Sequence, residues 1–362
     1  MSDKSPTILN EQRPTPRSLG YSMPAEWSGH SATWLSWPDN LETWPTKLES
    51  VREVWIQMIT LLAPQERVYV LVNEERSADE VRTRLERARA ATENVTLVKI
   101  PTIDVWIRDY GPTFVTRSAP ENPLAFNDWI FNGWGGKYPS YELDERVARE
   151  LASLLHVPVF RHDIVLEGGS IEVNGAGTCL TTEQCLLNRN RNPRLTQAQI
   201  EDFLKDSLGV SHVIWLGEGI VGDDTDGHID DIARFVNPTT VTCIVEANAR
   251  DENYRFLEDN HERLQNAVDQ NGAKLSVVKL PCPDPVYDGS VRLPASYANF
   301  YVANEVVLVP IFDDAHDVEA LGLLQELFPN RKVHGLCCND VVAGLGAIHC
   351  VTQQQPRPRT SR

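Results

Sequence analysis

The apolar and polar positions of this chain alternate in an order that repeats. Six segments carry apolar residues at helical spacing, and each is followed within a few residues by a short run rich in Val, Ile and Leu. The predicted pairs of helix and strand are 47–63 with 67–72, 78–90 with 95–100, 144–155 with 157–161, 196–208 with 212–216, 253–271 with 275–280, and 317–328 with 332–336. Thr196, with Pro193 upstream, is a suitable N-cap for the fourth helix. The pattern predicts an α/β protein with short, buried strands.

Polar loops follow several of these strands, and each loop leads into a second strand-like run. Four of them read "DVWIRDYGPTFV", "DIVLEGGSIEV", "GDDTDGHIDDIARFV" and "NDVVAGLGAIHCVT". A fifth, "LPASYANFYV", has no acid or histidine at its centre. The repeat is one of architecture and not of residues. Units around a common axis would bring the loops together, but an open doubly wound sheet also lines up its loops, so spacing alone does not choose between them.

Composition narrows the class of protein. The chain has 362 residues, of which 41% are hydrophobic and 23% charged, with a formal net charge of -17. We expect one catalytic domain over 21–355, with flexible tails at 1–20 and 356–362. The negative charge argues against nucleic acid and against an anionic membrane surface as partners. It is compatible with a small cationic ligand, although it could serve solubility alone.

Targeting and redox features point to the cytoplasm. The N-terminal segment has no apolar core of a signal peptide, and no run of about 18 apolar residues occurs. The seven cysteines form no CxxC pair, so neither a zinc ribbon nor a thioredoxin motif is supported. We therefore expect a reduced, cytoplasmic protein that does not span a membrane.

Two carboxylates stand out in the first polar loops. Asp109 in "WIRDYGP" could form a surface pair with Arg108, or it could point inward at a cation with Trp106 as a wall. Glu167 in "LEGGSIEV" ends an apolar run, where an unpaired Glu is rare, so it belongs either to a structural salt bridge or to a site.

A histidine and a third carboxylate share the loop "DDTDGHIDD". His228 and Asp230 are two residues apart and would share a face if the segment were a strand. The loop does not fit a calcium-binding EF-hand, since Gly222 and Ala233 fall at the first and last ligand positions. A transition metal could use the same pair, but no second histidine stands nearby.

Cys350 is the candidate nucleophile. Most buried cysteines are inert packing, but this one follows the glycine-rich "GLGAIHC", which permits an exposed thiol at a turn. His349 is a poor candidate for its base, because neighbours on a strand face opposite sides, so we expect His228 to serve instead. One thiol, one histidine and three acids suit a guanidinium ion as substrate. Carboxylates bind the paired N–H donors of a guanidinium, and a thiolate can attack its central carbon.

These residues resemble those of the agmatine deiminase family, within the pentein group of guanidine-modifying enzymes. The resemblance runs from "MPAEW" at Met23 to "VTQQQP", through "WIRDYGPTF", "FNGWGG", "LEGGSIEVNGAGTCLTTEQCLLNRNRNP", "GHIDD", "ASYANFY" and "GAIHCVTQQQP". It implies a five-bladed α/β propeller of ββαβ units. It also implies hydrolysis of agmatine to N-carbamoylputrescine and ammonia through a covalent thiouronium, without metal or organic cofactor, by a protein that often forms a homodimer.

The resemblance also implies the roles of individual residues. Cys350 is expected to be the nucleophile and His228 the general acid and base, while Glu167 is expected to support His228 and the substrate's nitrogens. Asp109 and Asp230 are expected to bind the guanidinium, beside the wall formed by Trp106.

Departures from the family pattern concern the substrate's tail. Asp226 stands where Asn is usual, and "GLGAIHC" replaces "GGGNIHC". We expect the added acid to suit a longer or more cationic tail, so another guanidino-amine stays open as the substrate. An amidinotransferase of the same fold, a metal-dependent ureohydrolase and a binding-only propeller are the remaining alternatives.

Overall fold

The computed structural model describes residues 14–358. Its strands in that range are β1 (His30–Ser36), β2 (Arg67–Val72), β3 (Val95–Lys99), β4 (Thr113–Thr116), β5 (Leu124–Ile130), β6 (Val159–Val165), β7 (Glu172–Val173), β8 (Thr178–Thr182), β9 (His212–Leu216), β10 (Ala233–Asn237), β11 (Thr240–Val245), β12 (Ser276–Pro281), β13 (Tyr287–Asp288), β14 (Val291–Arg292), β15 (Tyr301–Val302), β16 (Val306–Ile311), β17 (Lys332–Cys337) and β18 (Gln353–Pro356). Its helices are α1 (Leu48–Leu62), α2 (Glu75–Ala88), α3 (Ile107–Tyr110), α4 (Gly133–Gly136), α5 (Val147–Leu155), α6 (Glu183–Leu186), α7 (Gln197–Leu208), α8 (Tyr254–Asn266) and α9 (Asp317–Leu327).

Five small mixed sheets carry most of the strands in the described range. Their strand orders are β18-β1-β2-β3, β4-β5-β6, β7-β8-β9, β10-β11-β12 and β15-β16-β17, and β13 and β14 form a separate hairpin. In each of the five, a central strand pairs antiparallel with one neighbour and parallel with the other. One of the longer helices α1, α5, α7, α8 and α9 lies in each crossover between the parallel strands, as such pairs require. The predicted α/β class is confirmed.

The helix predictions hold, apart from some of the ends. α7 begins with the expected cap, since the Thr196 side chain accepts from the Gln199 amide and the Gln199 side chain bonds back to Thr196. The fifth helix was predicted to reach residue 271, but α8 ends at Asn266. The Asp269 carboxylate accepts the amides of Asn271 and Ala273, and this side-chain-stabilised turn replaces further helix.

The central strands were not singled out by the sequence pattern. They are β1, β5, β8, β11 and β16, and each precedes one of the crossover helices. β8, with the sequence "TCLTT", is buried at every position although it carries three threonines, so polarity did not mark it as core. Within the described range, no helix has both the length and the apolar character needed to cross a bilayer.

The first strand of each sheet is preceded by a loop that carries polar side chains. These strands are β4, β7, β10, β15 and β18, and each is the antiparallel neighbour of a central strand. Four of the loops contain one short helical turn, at Ile107–Tyr110, Gly168–Ser170, Ile229–Asp231 and Val342–Gly344. β18 near the C-terminus pairs with β1 near the N-terminus, so the last loop belongs to the first sheet.

Replacing Trp55 by Ala tests the packing of α1 on β1. Trp55 is fully buried and its indole N–H donates to the Ser36 carbonyl at 2.7 Å. We expect Trp55→Ala to lower the free energy of unfolding by about 3–5 kcal/mol, because truncation leaves a cavity and an unpaired carbonyl. Val318→Ala on α9, where the side chain is 80% exposed, should change it by less than about 0.5 kcal/mol. Urea unfolding followed by circular dichroism measures both, and equal midpoints would contradict the assignment.

Candidate active site

The Cys350 thiol lies in a turn just before β18 and is 6% exposed. The Asn299 amide donates to Sγ at 3.1 Å, and the Asp230 Oδ2 atom lies 3.8 Å from Sγ. Burial raises the pKa of the thiol well above its usual value, and the charges of Asp230, Asp231 and Asp109 add to the rise. Without a bound ligand the sulfur is therefore a neutral thiol.

Asp109 points into the site from α3 and does not pair with Arg108. Its Oδ2 accepts the indole N–H of Trp134 at 2.9 Å, and its Oδ1 accepts the Gly169 amide at 2.9 Å. Burial raises the pKa of this carboxyl well above its usual value, and the Asp230 charge adds to the effect. The inward alternative of the sequence analysis is thus what the structure has.

Glu167 is fully buried and meets both alternatives proposed for it. Its Oε1 forms an ion pair with the Arg191 Nε at 2.7 Å, while its Oε2 has no hydrogen-bond partner in the described range. Burial raises the pKa of Glu167, and Arg191 opposes the rise. An oxygen of Glu167 also lies within 4.8 Å of a ring nitrogen of His228. One oxygen is therefore structural and the other is free to receive a donor.

His228 presents an imidazole with two unpaired nitrogens. Neither ring nitrogen has a hydrogen-bond partner among residues 14–358, although Nδ1 lies 3.6 Å from the Asp109 Oδ1. Burial lowers the pKa of His228 to about 3, against the opposing charge of Asp230. The ring is consequently neutral before a ligand binds, so one nitrogen can accept a proton.

Asp230 is held by the residue next to the candidate nucleophile. Its Oδ2 bonds to the His349 Nδ1 at 2.6 Å, while Oδ1 has no partner in the part of the chain that the structure describes. Burial opposes ionisation, but the hydrogen bond and charge of His349 outweigh it and the pKa of Asp230 is lowered. The Nε2 of His349 bonds to Glu26 at 2.8 Å, so both ring nitrogens are engaged. His349 is unavailable as the base for Cys350, as expected, but the reason is this pairing in a turn and not strand alternation.

Gly169 allows these groups to approach each other. A Cβ at this position would lie 2.6 Å from the His228 Nδ1, 2.8 Å from the Asp109 Oδ1 and 3.1 Å from the Asp230 Oδ2. The space that a side chain would fill is therefore the space in which the histidine and the two carboxylates meet.

A cavity of about 380 Å³ leads to Cys350 and Asp109. Trp106 and Trp134 line it as aromatic walls, and the Gly346 backbone packs directly against the Trp106 ring. Its lining also includes the acids Glu42, Asp104, Asp144 and Asp224. Within residues 14–358 no Lys or Arg lines it. The cavity thus suits a slender cation.

The expectation for Asp226 is wrong in this structure. Its carboxylate is shared by Arg191, Asn190 and Lys137, with distances of 2.9 Å to the Asn190 Nδ2 and the Lys137 Nζ. It does not line the cavity and offers no charge to a substrate's tail. The acid instead completes the pairing of the arginine that holds Glu167.

Several residues of the site were not found from the sequence. Trp134 lies in "FNGWGG" with a left-handed backbone (φ 53°), an unusual conformation for a bulky residue, and nothing in the motif marks its indole as a donor to Asp109. Arg191 and Asn299 belong to loops distant along the chain, and only the family motifs that contain them could have drawn attention to them.

Two buried clusters in the described range could in principle ligate a metal ion. Glu167, Cys185 and His228 form one, and Asp230, Asp231 and Cys350 form the other. Burial raises the pKa of the Cys185 thiol well above its usual value, and a thiol must lose its proton to bind a metal. Arg191 already forms an ion pair with Glu167. The first cluster therefore suits a metal poorly, while the second coincides with the candidate nucleophile.

Comparison with known proteins agrees with this geometry. Residues 22–356 match the family model of the Porphyromonas-type peptidyl-arginine deiminases. An agmatine deiminase of Medicago truncatula is 39% identical over 94% of this chain and 98% of its own length. The structure of an Enterococcus faecalis agmatine deiminase superposes with a TM-score of 0.89 at 34% identity, covering 96% of this chain and 99% of the other.

The fold and the cluster of thiol, histidine and acids define a guanidine-modifying hydrolase of the pentein class, which acts on C–N bonds in linear amidines. Within that class, the chain belongs to the agmatine deiminase family. An amidinotransferase from Microseira wollei shares the fold alone, with a TM-score of 0.52 at 11% identity.

Gly169→Ala tests whether the close approach at Gly169 is required. We expect it to slow labelling of Cys350 by 2-chloroacetamidine, a cationic probe, by about tenfold or more, because the added Cβ displaces His228 and Asp109. Gly322→Ala is the control, since nothing lies within 4 Å of a Cβ there. Mass spectrometry of the Cys350 peptide measures the rate, and labelling of the Gly169 variant at the wild-type rate would contradict the geometry.

Proposed function

We propose that this protein hydrolyses agmatine to N-carbamoylputrescine and ammonia. The observation that supports this proposal most directly is the acid-lined cavity that ends at the Cys350 thiol. Carboxylates with unpaired oxygens lie beside this thiol. In this proposal the guanidinium lies between Asp109 and Asp230, with Trp106 and Trp134 as its walls, and Cys350 faces its central carbon.

The first half-reaction forms a covalent intermediate. His228 accepts the thiol proton of Cys350, and the electron pair of the sulfur forms the S–C bond with the guanidinium carbon. The proton then passes from His228 to one terminal nitrogen, the C–N bond breaks, and ammonia leaves. A cationic thiouronium remains on Cys350. The unpaired Oε2 of Glu167 is suited to hold the substrate's nitrogens and to orient His228.

The second half-reaction releases the product. His228 removes a proton from water, the resulting hydroxide adds to the thiouronium carbon, and the S–C bond breaks to return the sulfur as thiolate. The hydroxyl proton of the adduct passes to this thiolate, which restores the Cys350 thiol and leaves the urea carbonyl, and the proton on His228 goes to solvent. The product carries a urea group. Formation of the thiolate depends on the bound cation, because burial and three neighbouring acids disfavour the anion in its absence. Substrate binding therefore activates the nucleophile.

The acids that line the cavity favour agmatine over arginine. Asp144 is buried and lines the cavity, and its Oδ1 accepts the Ile103 amide at 2.6 Å. Asp104 and Asp224 also line the cavity, but Asp224 is already paired with Lys137 at 3.3 Å. Asp104 and Asp144 suit an ammonium group, whereas the carboxylate of arginine would need a cation, and none lines the cavity among residues 14–358. Another guanidino-amine stays the second candidate.

The remaining proposals concern assembly and surroundings. We propose that the five mixed sheets are the blades of a pentein propeller formed by one catalytic domain over 21–355, with tails at 1–20 and 356–362. The ends of those tails, residues 1–13 and 359–362, lie outside the described range. We also propose a cytoplasmic homodimer that acts on a small cationic guanidine without metal or organic cofactor and does not bind nucleic acid or membranes.

Product analysis with agmatine, arginine and a peptidyl-arginine substrate tests the function. We expect ammonia and N-carbamoylputrescine from agmatine, at a rate unchanged by EDTA, and loss of turnover in Cys350→Ala because the covalent step has no nucleophile. Urea as product, or loss of activity with EDTA, would favour a ureohydrolase. Transfer of the amidine to an added amine without ammonia would favour an amidinotransferase, and labelling of Cys350 without any turnover would favour a binding-only protein.

Asp144→Asn tests recognition of the tail. Burial raises the pKa of Asp144 to about 8, so the carboxyl is mostly protonated at pH 7 and gains its charge as the pH rises through 8. We expect the KM for agmatine to fall between pH 7 and 9 in the wild type. The fall should be absent in Asp144→Asn, which keeps the oxygen that accepts the Ile103 amide.

Butylguanidine, whose tail is uncharged, serves as the control for Asp144→Asn. Its KM should be the same in the variant and the wild type. Equal pH dependence of the agmatine KM in both proteins would overturn the role of Asp144 while leaving the proposed reaction intact.

A further inference from the structure

The fifth polar loop, which carries no acid or histidine, contacts the nucleophile directly. Asn299 lies two residues before β15 and is fully buried. Its Nδ2 lies 3.1 Å from the Cys350 Sγ, closer than any other polar side-chain atom that bonds to this sulfur in the described range. Asn299 therefore touches the atom that would react.

The orientation of the Asn299 amide is fixed by its other partners. Its Oδ1 accepts the backbone N–H groups of His349 at 2.9 Å and of Cys350 at 3.4 Å. Backbone N–H groups only donate, so the oxygen must face them and the amino group must face the sulfur. The second amino hydrogen is directed at Asp231 Oδ1, 2.9 Å away. The side chain is thus held in one orientation from two sides.

The Asn299 donor matters because the acids around the sulfur disfavour its anion. Asp230, Asp231 and Asp109 all act against a negative charge on Cys350. Within residues 14–358 no Lys or Arg hydrogen-bonds the sulfur. The neutral Asn299 N–H donor aimed at Sγ and a backbone hydrogen bond from Ala347 therefore favour the thiolate over the thiol.

We propose that Asn299 is a catalytic residue that stabilises the Cys350 thiolate by donating a hydrogen bond to Sγ. The inference rests on the proposed role of Cys350 as nucleophile. When His228 takes the thiol proton, the electron pair stays on sulfur, and the Asn299 N–H interacts with it until the S–C bond forms. When water displaces the sulfur, the departing thiolate receives the same hydrogen bond. The amide hydrogens stay on Asn299 throughout, so no proton is gained or lost there.

The pH dependence of Cys350 alkylation by iodoacetamide tests this role without any substrate. The measurement uses the Cys337→Ser background, because Cys337 is the exposed thiol among the cysteines of residues 14–358. A hydrogen bond to a charged group contributes enough to shift a pKa by about 1 unit or more. We expect Asn299→Ala to move the alkylation profile to higher pH by about 1 unit, since loss of the donor destabilises the anion.

Two further variants separate this effect from damage to the fold. Asn299→Asp keeps an oxygen for the backbone N–H groups of His349 and Cys350 but replaces the donor, and it should move the profile at least as far. Asn260→Ala removes an equally buried Asn on α8, whose side chain bonds the Gly217 amide and the Glu218 carbonyl, both at 2.7 Å. We expect the wild-type profile in that control.

The outcomes decide the inference independently of the proposed function. Profiles for Asn299→Ala and Asn299→Asp that coincide with the wild type, in proteins with native circular dichroism, would overturn it even if agmatine is hydrolysed. A shift in both variants with none in Asn260→Ala supports it, even if no guanidine is turned over. An equal shift in Asn260→Ala would show general loosening and overturn it as well.

Discussion

The concentration of buried carboxyl groups around one thiol is the constraint on which this structure depends. Asp109, Asp230 and Asp231 lie close enough to Cys350 to raise its pKa, and burial removes the water that would screen them. Buried acids are tolerated only when they are paired, protonated or awaiting a cation. Arg191 pairs with Glu167 and His349 with Asp230, but the inner face of the site has no cation of its own in the described range. A guanidinium completes the charge balance that the protein leaves open.

The same constraint explains the second layer of residues. His349 holds Asp230 from behind and is itself held by Glu26, which also forms an ion pair with Arg234 at 2.9 Å. Arg191 bridges Glu167 and Asp226. These partners occupy one oxygen of Glu167 and one of Asp230, and the other oxygen of each has no hydrogen-bond partner in the described range. The carboxylates of the site are therefore held by partners that lie farther from the sulfur. These partners fix the positions of the carboxylates without placing a competing cation in the cavity.

The sequence predicted the periodic part of this protein and the residues with distinctive chemistry. The longer crossover helices were found because their apolar spacing is regular, and α7 was found with its cap. The central strands were not predicted. In β8, for example, "TCLTT" mixes threonine with apolar residues, although every position is buried. Residue type and motif singled out Cys350, His228, Glu167, Asp109 and Asp230 as site candidates, and the structure brings them close together. Asn299 contacts the sulfur and Trp134 contacts Asp109 through a side-chain N–H group, and no local pattern shows where such a group points. The error over Asp226 arose likewise, because the sequence shows an acid but not the three partners that occupy it.

The position of Asn299 also helps to explain how five similar sheets form a site in which each loop contributes different chemistry. Each of the five sheets places a loop just before its antiparallel first strand, and the loops before β4, β7, β10 and β18 supply acids, the histidine and the thiol. The remaining loop, before β15, supplies an uncharged amide. A further acid there would add to the repulsion that already disfavours the thiolate, and a fixed cation would compete with the guanidinium for Asp109 and Asp230. An amide donates to sulfur while it adds no charge, so it is the side-chain chemistry that this fifth position can accommodate without opposing either the nucleophile or the substrate.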